Sequence, residues 1–189
     1  MVDEIVRAAM ARWPDVPAAF GWLRLDRRGR WWLVARDRAD FDPARDGRGS
    51  MVTGEALAGF IGRNYAPDAQ GRWYFQNGPQ RVFVDLELAP LVFRVDDSAS
   101  RLRLVAHTGA VAERIERILF DRHGNVLVLT DLGPGAIDDR QLVRLEARLE
   151  ERADGIVLRI DPDGTGAVLQ VQTDVVDAGA ELGFVNEPR

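Results

Sequence analysis

The 189-residue chain contains no cysteine. Disulfides, thiolate metal sites and cysteine nucleophiles are thereby excluded, while the compartment stays open, because a cysteine-free chain fits any redox environment. Lysine is absent as well: all 25 basic residues are arginine, which we attribute to a GC-rich bacterial genome rather than to function. Histidine occurs only at His107 and His123, and serine only at Ser50, Ser98 and Ser100. Neither histidine has a partner at ligand spacing, and no Gly-x-Ser-x-Gly elbow exists. Gly133-Pro134-Gly135 lacks the lysine and hydroxyl of a phosphate loop, so serine-hydrolase and nucleotide-hydrolase chemistry are set aside. The opening residues, MVDEIVRAAMARW, carry acids where a signal peptide needs positive charge, and they are too short and polar to span a bilayer. The expectation is a cytoplasmic protein with no membrane association.

Basic excess is also missing. Residues 1 to 94 hold 14 Arg against 12 Asp and Glu, residues 95 to 189 hold 11 against 18, and the whole chain carries −5. Phosphate contacts supply most nucleic-acid affinity, so an excess of two on one half does not argue for such a partner. Stacking of single strands on Trp22 and Trp32 is the form such binding would take.

What the sequence does contain is hairpins. In Gly71 to Arg94, pairing Phe75 with Val82 and Trp73 with Val84 puts four apolar side chains on one face. Asn77-Gly78-Pro79-Gln80 then forms the loop. The other face carries Arg72 opposite Asp85, Tyr74 opposite Phe83 and Gln76 opposite Arg81. The strand breaks at Ala89-Pro90 and resumes from Leu91 to Val95. A second hairpin, Phe20 to Ala35, turns at Asp26-Arg27-Arg28-Gly29 with Gly29 left-handed, pairing Leu25 with Trp31 and Leu23 with Leu33. Trp22, Arg24, Trp32 and Val34 share its opposite face. A third runs from Arg114 to Thr130 around Asp121 to Gly124, apolar on both faces and hence central. Ile156 to Ile160 and Ala167 to Thr173 make the last, and a short strand is expected from Leu182 to Val185.

Three helices are expected. Residues 2 to 13 form an amphipathic one, with Val2, Ile5, Val6, Ala9, Met10 and Trp13 on its apolar stripe. Gly54 to Asn64 forms the second, capped by Thr53 with Leu57, Phe60 and Ile61 inward, and the third runs from Asp138 or Asp139 to about Arg152. Arg36 to Ser50, charged and rich in turn formers, reads as a disordered loop or a lid. Gly133-Pro134-Gly135 reads as a chain break.

The tetrad Asp-x-x-Gly recurs at Asp26, Asp68, Asp121 and Asp161, with a helix between the members of each pair. A duplicated hairpin, helix and hairpin would leave that spacing, and so would ordinary turn chemistry. Asp161-Pro162-Asp163-Gly164-Thr165-Gly166 matches the start of a calcium loop. However, Gln172 stands where a bidentate Glu belongs and strands flank it, so a polar turn is expected. No metal, cofactor or catalytic set is assigned.

The fragments Ala11-Arg-Trp-Pro-Asp-Val-Pro, Gly21-Trp-Leu-x-Leu-Asp-Arg-Arg-Gly-Arg-Trp, Asn64-Tyr, Gly71-Arg-Trp-Tyr-Phe-Gln-Asn-Gly-Pro-Gln-Arg-Val and His107-Thr-Gly resemble a family of proteobacterial proteins of about this length, known as a domain of unknown function. The resemblance implies bacterial origin and brings no activity with it.

The expected fold is α+β: antiparallel hairpins in one or two sheets with two to three packing helices. They form either a single compact unit or two halves, 1 to 97 and 98 to 189, that are pseudo-repeats. The expected function is a non-enzymatic module binding a protein or small molecule through Trp22, Arg24, Trp32, Arg72, Tyr74, Gln76, Arg81, Asp85 and His107, with self-association left open. The rival is an enzyme using His107 beside carboxylates.

Overall fold

A computed structural model describes residues 3–36, 40–96, 101–161 and 168–189. They form an α+β fold, mostly antiparallel sheet with few helices. It divides into two compact units: Met1–Leu88 with Phe184–Arg189, and Ala89–Gly183. The division falls earlier than residue 97 because Ala89-Pro90 does more than interrupt a strand. The chain before it completes one sheet and the chain after it opens another.

The first unit holds α1 (Glu4–Arg12), β1 (Ala19–Leu25), β2 (Trp31–Leu33), α2 (Pro43–Asp46), β3 (Ser50–Met51), α3 (Glu55–Arg63), β4 (Tyr65–Pro67), β5 (Trp73–Asn77) and β6 (Gln80–Leu86). Its sheet has the order β3-β2-β1-β6-β5-β4, with β1 and β6 parallel. Both expected registers hold. Leu25 pairs with Trp31 and Leu23 with Leu33, while Phe75 pairs with Val82 and Tyr74 with Phe83. The second loop is tighter than expected, since Asn77 pairs with Gln80 and leaves Gly78-Pro79 as a two-residue turn. Gly78 at φ +56 makes that turn possible without moving the register.

Local details of this unit depart from expectation. On α1 only Val6 is buried, and Ile5 and Trp13 face solvent. Gly54, not Thr53, caps α3, and no side chain bonds to the helix start. Residues 40 to 50 of the stretch expected as a disordered loop or lid include α2, capped by the Asp42 carboxylate, and the first residue of the edge strand β3, which pairs with β2. Residues 37–39 of that expected loop lie outside the described residues.

The second unit holds β7 (Leu91–Asp96), β8 (Arg103–Ala106), β9 (Val111–Ala112), β10 (Ile115–Asp121), β11 (Val126–Thr130), β12 (Gly133–Ile137), a 3-10 turn (Asp139–Gln141), α4 (Leu142–Glu146), β13 (Leu149–Arg152), β14 (Gly155–Arg159), β15 (Val168–Val175) and α5 (Ala178–Leu182). The sheet order is β13-β14-β15-β10-β11-β12-β7-β8-β9. As their two-sided apolar pattern requires, β10 and β11 lie in its middle, with Ile118, Leu119, Leu127 and Val128 buried.

Three expectations fail here. Gly133-Pro134-Gly135 is a strand rather than a break: Pro134 pairs with Leu129 on one side, and Gly135 pairs in parallel with Leu91 on the other. The third helix stops at Glu146, because Leu149–Arg152 joins β14 as a hairpin whose pairing overrides the helical preference of Leu-Glu-Glu-Arg. The final stretch is α5, closed by left-handed Gly183 at φ +74, and not a strand from Leu182. The calcium-like turn at Pro162 to Gly166 lies outside the described residues.

The two units share a topology. In the first, hairpin β1–β2 and hairpin β5–β6 are joined by parallel pairing of β1 with β6, with α3 between them in sequence. In the second, β10–β11 and β14–β15 are joined by parallel pairing of β10 with β15, with α4 between. The resulting orders, β2-β1-β6-β5 and β11-β10-β15-β14, correspond strand for strand.

Candidate functional site

Asp-x-x-Gly is a turn device wherever it is described. Asp26 accepts from the backbone N–H of Arg28 and Arg30 and from Arg30 Nε at 2.9, 2.9 and 2.7 Å. Asp68 accepts from Gln70, Arg72 and Arg72 Nε at 2.9, 3.0 and 2.9 Å. Asp121 accepts from His123, Asn125 and Asn125 Nδ2 at 2.9, 2.8 and 2.7 Å. In each case the glycine is left-handed and donates back to the Asp carbonyl. The residue four beyond the Asp thus supplies both a backbone and a side-chain donor, a regularity visible in the sequence as Arg30, Arg72 and Asn125.

At all three carboxyls desolvation by burial pushes the pKa up, but the donated hydrogen bonds outweigh it and the net shift is downward. A carboxyl whose folded pKa lies below its unfolded one contributes stability that is present above the unfolded value, about 3.9, and is lost as pH falls through the folded value. Urea stability is therefore expected to stay flat through the neutral range and to fall once pH drops below about 4. Changing Asp26, Asp68 and Asp121 together to Asn should flatten that acid limb. An unchanged limb would show that other carboxyls set it.

Most of the residues expected to form a recognition surface already make contacts within the unit. Phe20 stacks on Phe83 at 4.7 Å between ring centroids, and Tyr74 meets Phe83 edge-on at 5.7 Å. Arg72 lies over Phe83 at 4.7 Å and Arg81 over Tyr74 at 4.8 Å. Arg72 is also held by Asp68, and Asp85 accepts from Arg189 at 3.1 Å. Gln76 does not belong to an open face: it is 1% exposed, and its Nε2 donates to Gly78 O at 2.9 Å. Trp32 is pinned by its indole N–H to Asp26 at 2.9 Å and flanked by Arg48 at 4.5 Å, while Arg24 donates to Gly47 O at 2.7 Å. These contacts describe cross-strand stabilisation. They form several local groups rather than one site.

His107 stands in the other unit, at the turn after β8. Its Nδ1 accepts from the Val92 backbone N–H at 3.3 Å, and the His107 backbone N–H donates to Val92 O at 2.8 Å. Those bonds tie the turn to β7. Among the described residues, no three His, Asp or Glu side chains are grouped to hold a metal ion, and no helix is long and apolar enough to cross a membrane.

The concave site lies elsewhere, between α3 and the core face of the first sheet. It is a cavity of about 950 Å³. Leu57, Phe60 and Ile61 reach it from α3, Phe75 and Val82 from β5 and β6, and Leu23 and Leu33 from β1 and β2. Phe60 meets Phe75 edge-on at 5.5 Å, which holds the helix against the strands at one side of the space.

A fault in β1 helps to shape it. Ala19 pairs with Val82 but Leu23 pairs with Val84, so four steps on β1 span two on β6. Such an excess bends the strand and re-aims side chains. Gly21, at φ +72, sits in the fault, and its neighbours Phe20 and Trp22 both line the cavity. Trp22, Leu33 and Leu57 remain 37%, 46% and 44% exposed, an apolar lining that the fold leaves open to solvent. Of the expected binding residues only Trp22 belongs to it. Periodicity places Leu57, Phe60 and Ile61 on one apolar face of α3 without revealing how much of that face finds a partner.

The sequence matches no curated protein. Among solved structures, a DUF1285 family protein from Silicibacter pomeroyi DSS-3 is similar at 16% identity and a TM-score of 0.56, over 96% of this chain and 99% of that one. A DUF1285 family protein from Shewanella baltica OS155 is similar at 12% identity and a TM-score of 0.46, over 65% of this chain and 88% of its own. The first likeness extends to the fold. A family model described as protein of unknown function (DUF2946) matches residues 2–189, and the chain belongs to that family.

Proposed function

We propose that the first unit is a non-enzymatic binding module that takes an apolar small molecule into the cavity beneath α3. One observation carries the reading: about 950 Å³ of concave space is lined mainly by Leu, Val, Ile, Ala and aromatic side chains, three of which stay solvent-exposed. Ligand sites are concave, mostly apolar and typically about 300–1,000 Å³. Leaving Trp22, Leu33 and Leu57 uncovered forgoes roughly 25 cal/mol for each Å² of apolar surface that a tighter core would bury, and a bound apolar molecule recovers it. On the outer face of β5 and β6, Arg72 lies over Phe83 and Arg81 over Tyr74, and neither arginine lines this cavity.

The test uses 1-aminoanthracene, an uncharged apolar fluorophore. Its emission should rise and saturate with the intact protein. Leu57→Glu should fold normally, because Leu57 is already 44% exposed, yet weaken binding at least about tenfold by placing a carboxylate on the apolar wall. Absence of saturable binding, or binding undiminished in a folded Leu57→Glu protein, would overturn the reading.

A further inference from the structure

We infer, resting on that reading, that the ligand is an uncharged amphiphile, an apolar body ending in one neutral hydrogen-bonding group that meets Asn77 and Gln80.

The first observation is electrostatic. No charged side chain stands among the described lining residues of the cavity. The rest of the unit is rich in guanidinium groups, and these are gathered elsewhere. Arg24, Arg36, Asp85 and Glu187 line a separate, polar concavity of about 210 Å³, and Arg24 and Arg48 line another with Asp26 and Glu87. A carboxylate or ammonium drawn into the apolar cavity would meet no counter-charge among the described lining residues, whereas a neutral head loses less on leaving water.

The second observation is positional. Apart from the indole of Trp22, the polar side chains of the described lining are the carboxamides of Asn77 and Gln80. They are not scattered. These two residues pair across the Gly78-Pro79 turn, the tightest point of the β5–β6 hairpin, so both carboxamides belong to one end of the cavity. Gln80 is held there by its Nε2 donating to Pro17 O at 3.0 Å. Asn77, at the exposed hairpin end, supplies a donor and an acceptor in one group, which suits a hydroxyl, ester or amide and brings no counter-charge to an ionised head.

Together these features select an alcohol over a carboxylate of the same chain length. The experiment measures displacement of bound 1-aminoanthracene by decan-1-ol and by decanoate at pH 8, where decanoate is ionised. Decan-1-ol should displace the fluorophore at a concentration at least about tenfold lower than decanoate. Asn77→Arg, a change at an exposed position, should bring decanoate level with decan-1-ol or ahead of it. Gln80→Arg tests the same end independently should the first variant fold poorly. Equal or better displacement by decanoate from the unaltered protein, displacement by neither compound, or an unchanged ratio in a folded Arg variant would overturn the inference. If 1-aminoanthracene itself fails to bind, the apolar site is wrong, and the headgroup inference falls with it for that separate reason.

Discussion

Replacing Gly135 by alanine is expected to destabilise the second unit by about 3 kcal/mol, the upper end of what overpacking usually costs. Gly135 lies in β12 between β11 and β7, and a Cβ there would fall 2.4 Å from Phe93 Cε2 and 2.7 Å from the Leu91 carbonyl oxygen. Neither neighbour yields cheaply. Phe93 is fully buried, and the Leu91 oxygen belongs to the strand that pairs with Gly135, so moving it disturbs the parallel ladder itself. Urea denaturation of the intact chain measures the effect. Gly59→Ala is the contrasting control: its new Cβ meets only the end of the Arg63 side chain, and alanine favours the helix, so this variant should gain up to about 1 kcal/mol. A loss below about 1 kcal/mol for Gly135→Ala would show that the Phe93 ring relaxes and that the glycine is not sterically required.

Removal of Phe184–Arg189 should unfold the first unit or lower its midpoint sharply, although Asn186 and Arg189 lie 100 and 104 positions from the β6 residues they bond. Phe184 is buried, and truncating a buried phenylalanine to alanine alone costs about 3–5 kcal/mol. The segment then binds the ends of strands. Val185 N–H donates to Gly71 O, Leu86 N–H donates to Asn186 O, and Asn186 Nδ2 donates to Leu88 O at 3.0 Å and Leu86 O at 3.3 Å. Each such hydrogen bond adds about 1 kcal/mol net, and more where a buried group loses its partner. Phe184→Ala therefore separates the two contributions. Thermal melting should place it between the intact and truncated proteins, and a truncated chain that melts like the intact one would show that the segment is dispensable.

Hairpin registers were legible because their determinants are local. The pairing of Phe75 with Val82 follows from two-residue alternation and from the inability of Pro79 to donate, and Leu25 with Trp31 follows from Gly29 adopting a left-handed turn. Asp26, Asp68 and Asp121 were legible as turn residues for the same reason, since every donor to each carboxylate lies within a few residues. Where the reading failed, strand pairing overrode a local preference. Gly133-Pro134-Gly135 is held in β12 between its hairpin partner β11 and the much earlier β7, and Leu149–Arg152 is extended because it closes a tight hairpin with β14 against the helical preference of Leu-Glu-Glu-Arg.

The candidate site was harder to see than the scaffold. Leu57 and Leu33 carry the same apolar signature as any core residue, and only their incomplete coverage marks them as walls of a cavity. Tyr74, Arg72 and Arg81 have the composition of a binding face, and the structure shows them also in contact within the sheet, Arg72 with Phe83 and Asp68, Arg81 with Tyr74.

By itself the sequence determined the registers of the hairpins at Asp26 to Gly29 and at Gly78-Pro79 and the turns at Asp26, Asp68 and Asp121, whose donors and acceptors all lie close in the chain. Only the tertiary structure decided where the chain divides, that its last six residues complete its first unit, and that the packing beneath α3 leaves room for a ligand. The reason is physical. Burial is settled by the sum of all surfaces that meet, and a cavity is what remains where that sum falls short, a quantity carried by no single stretch of residues.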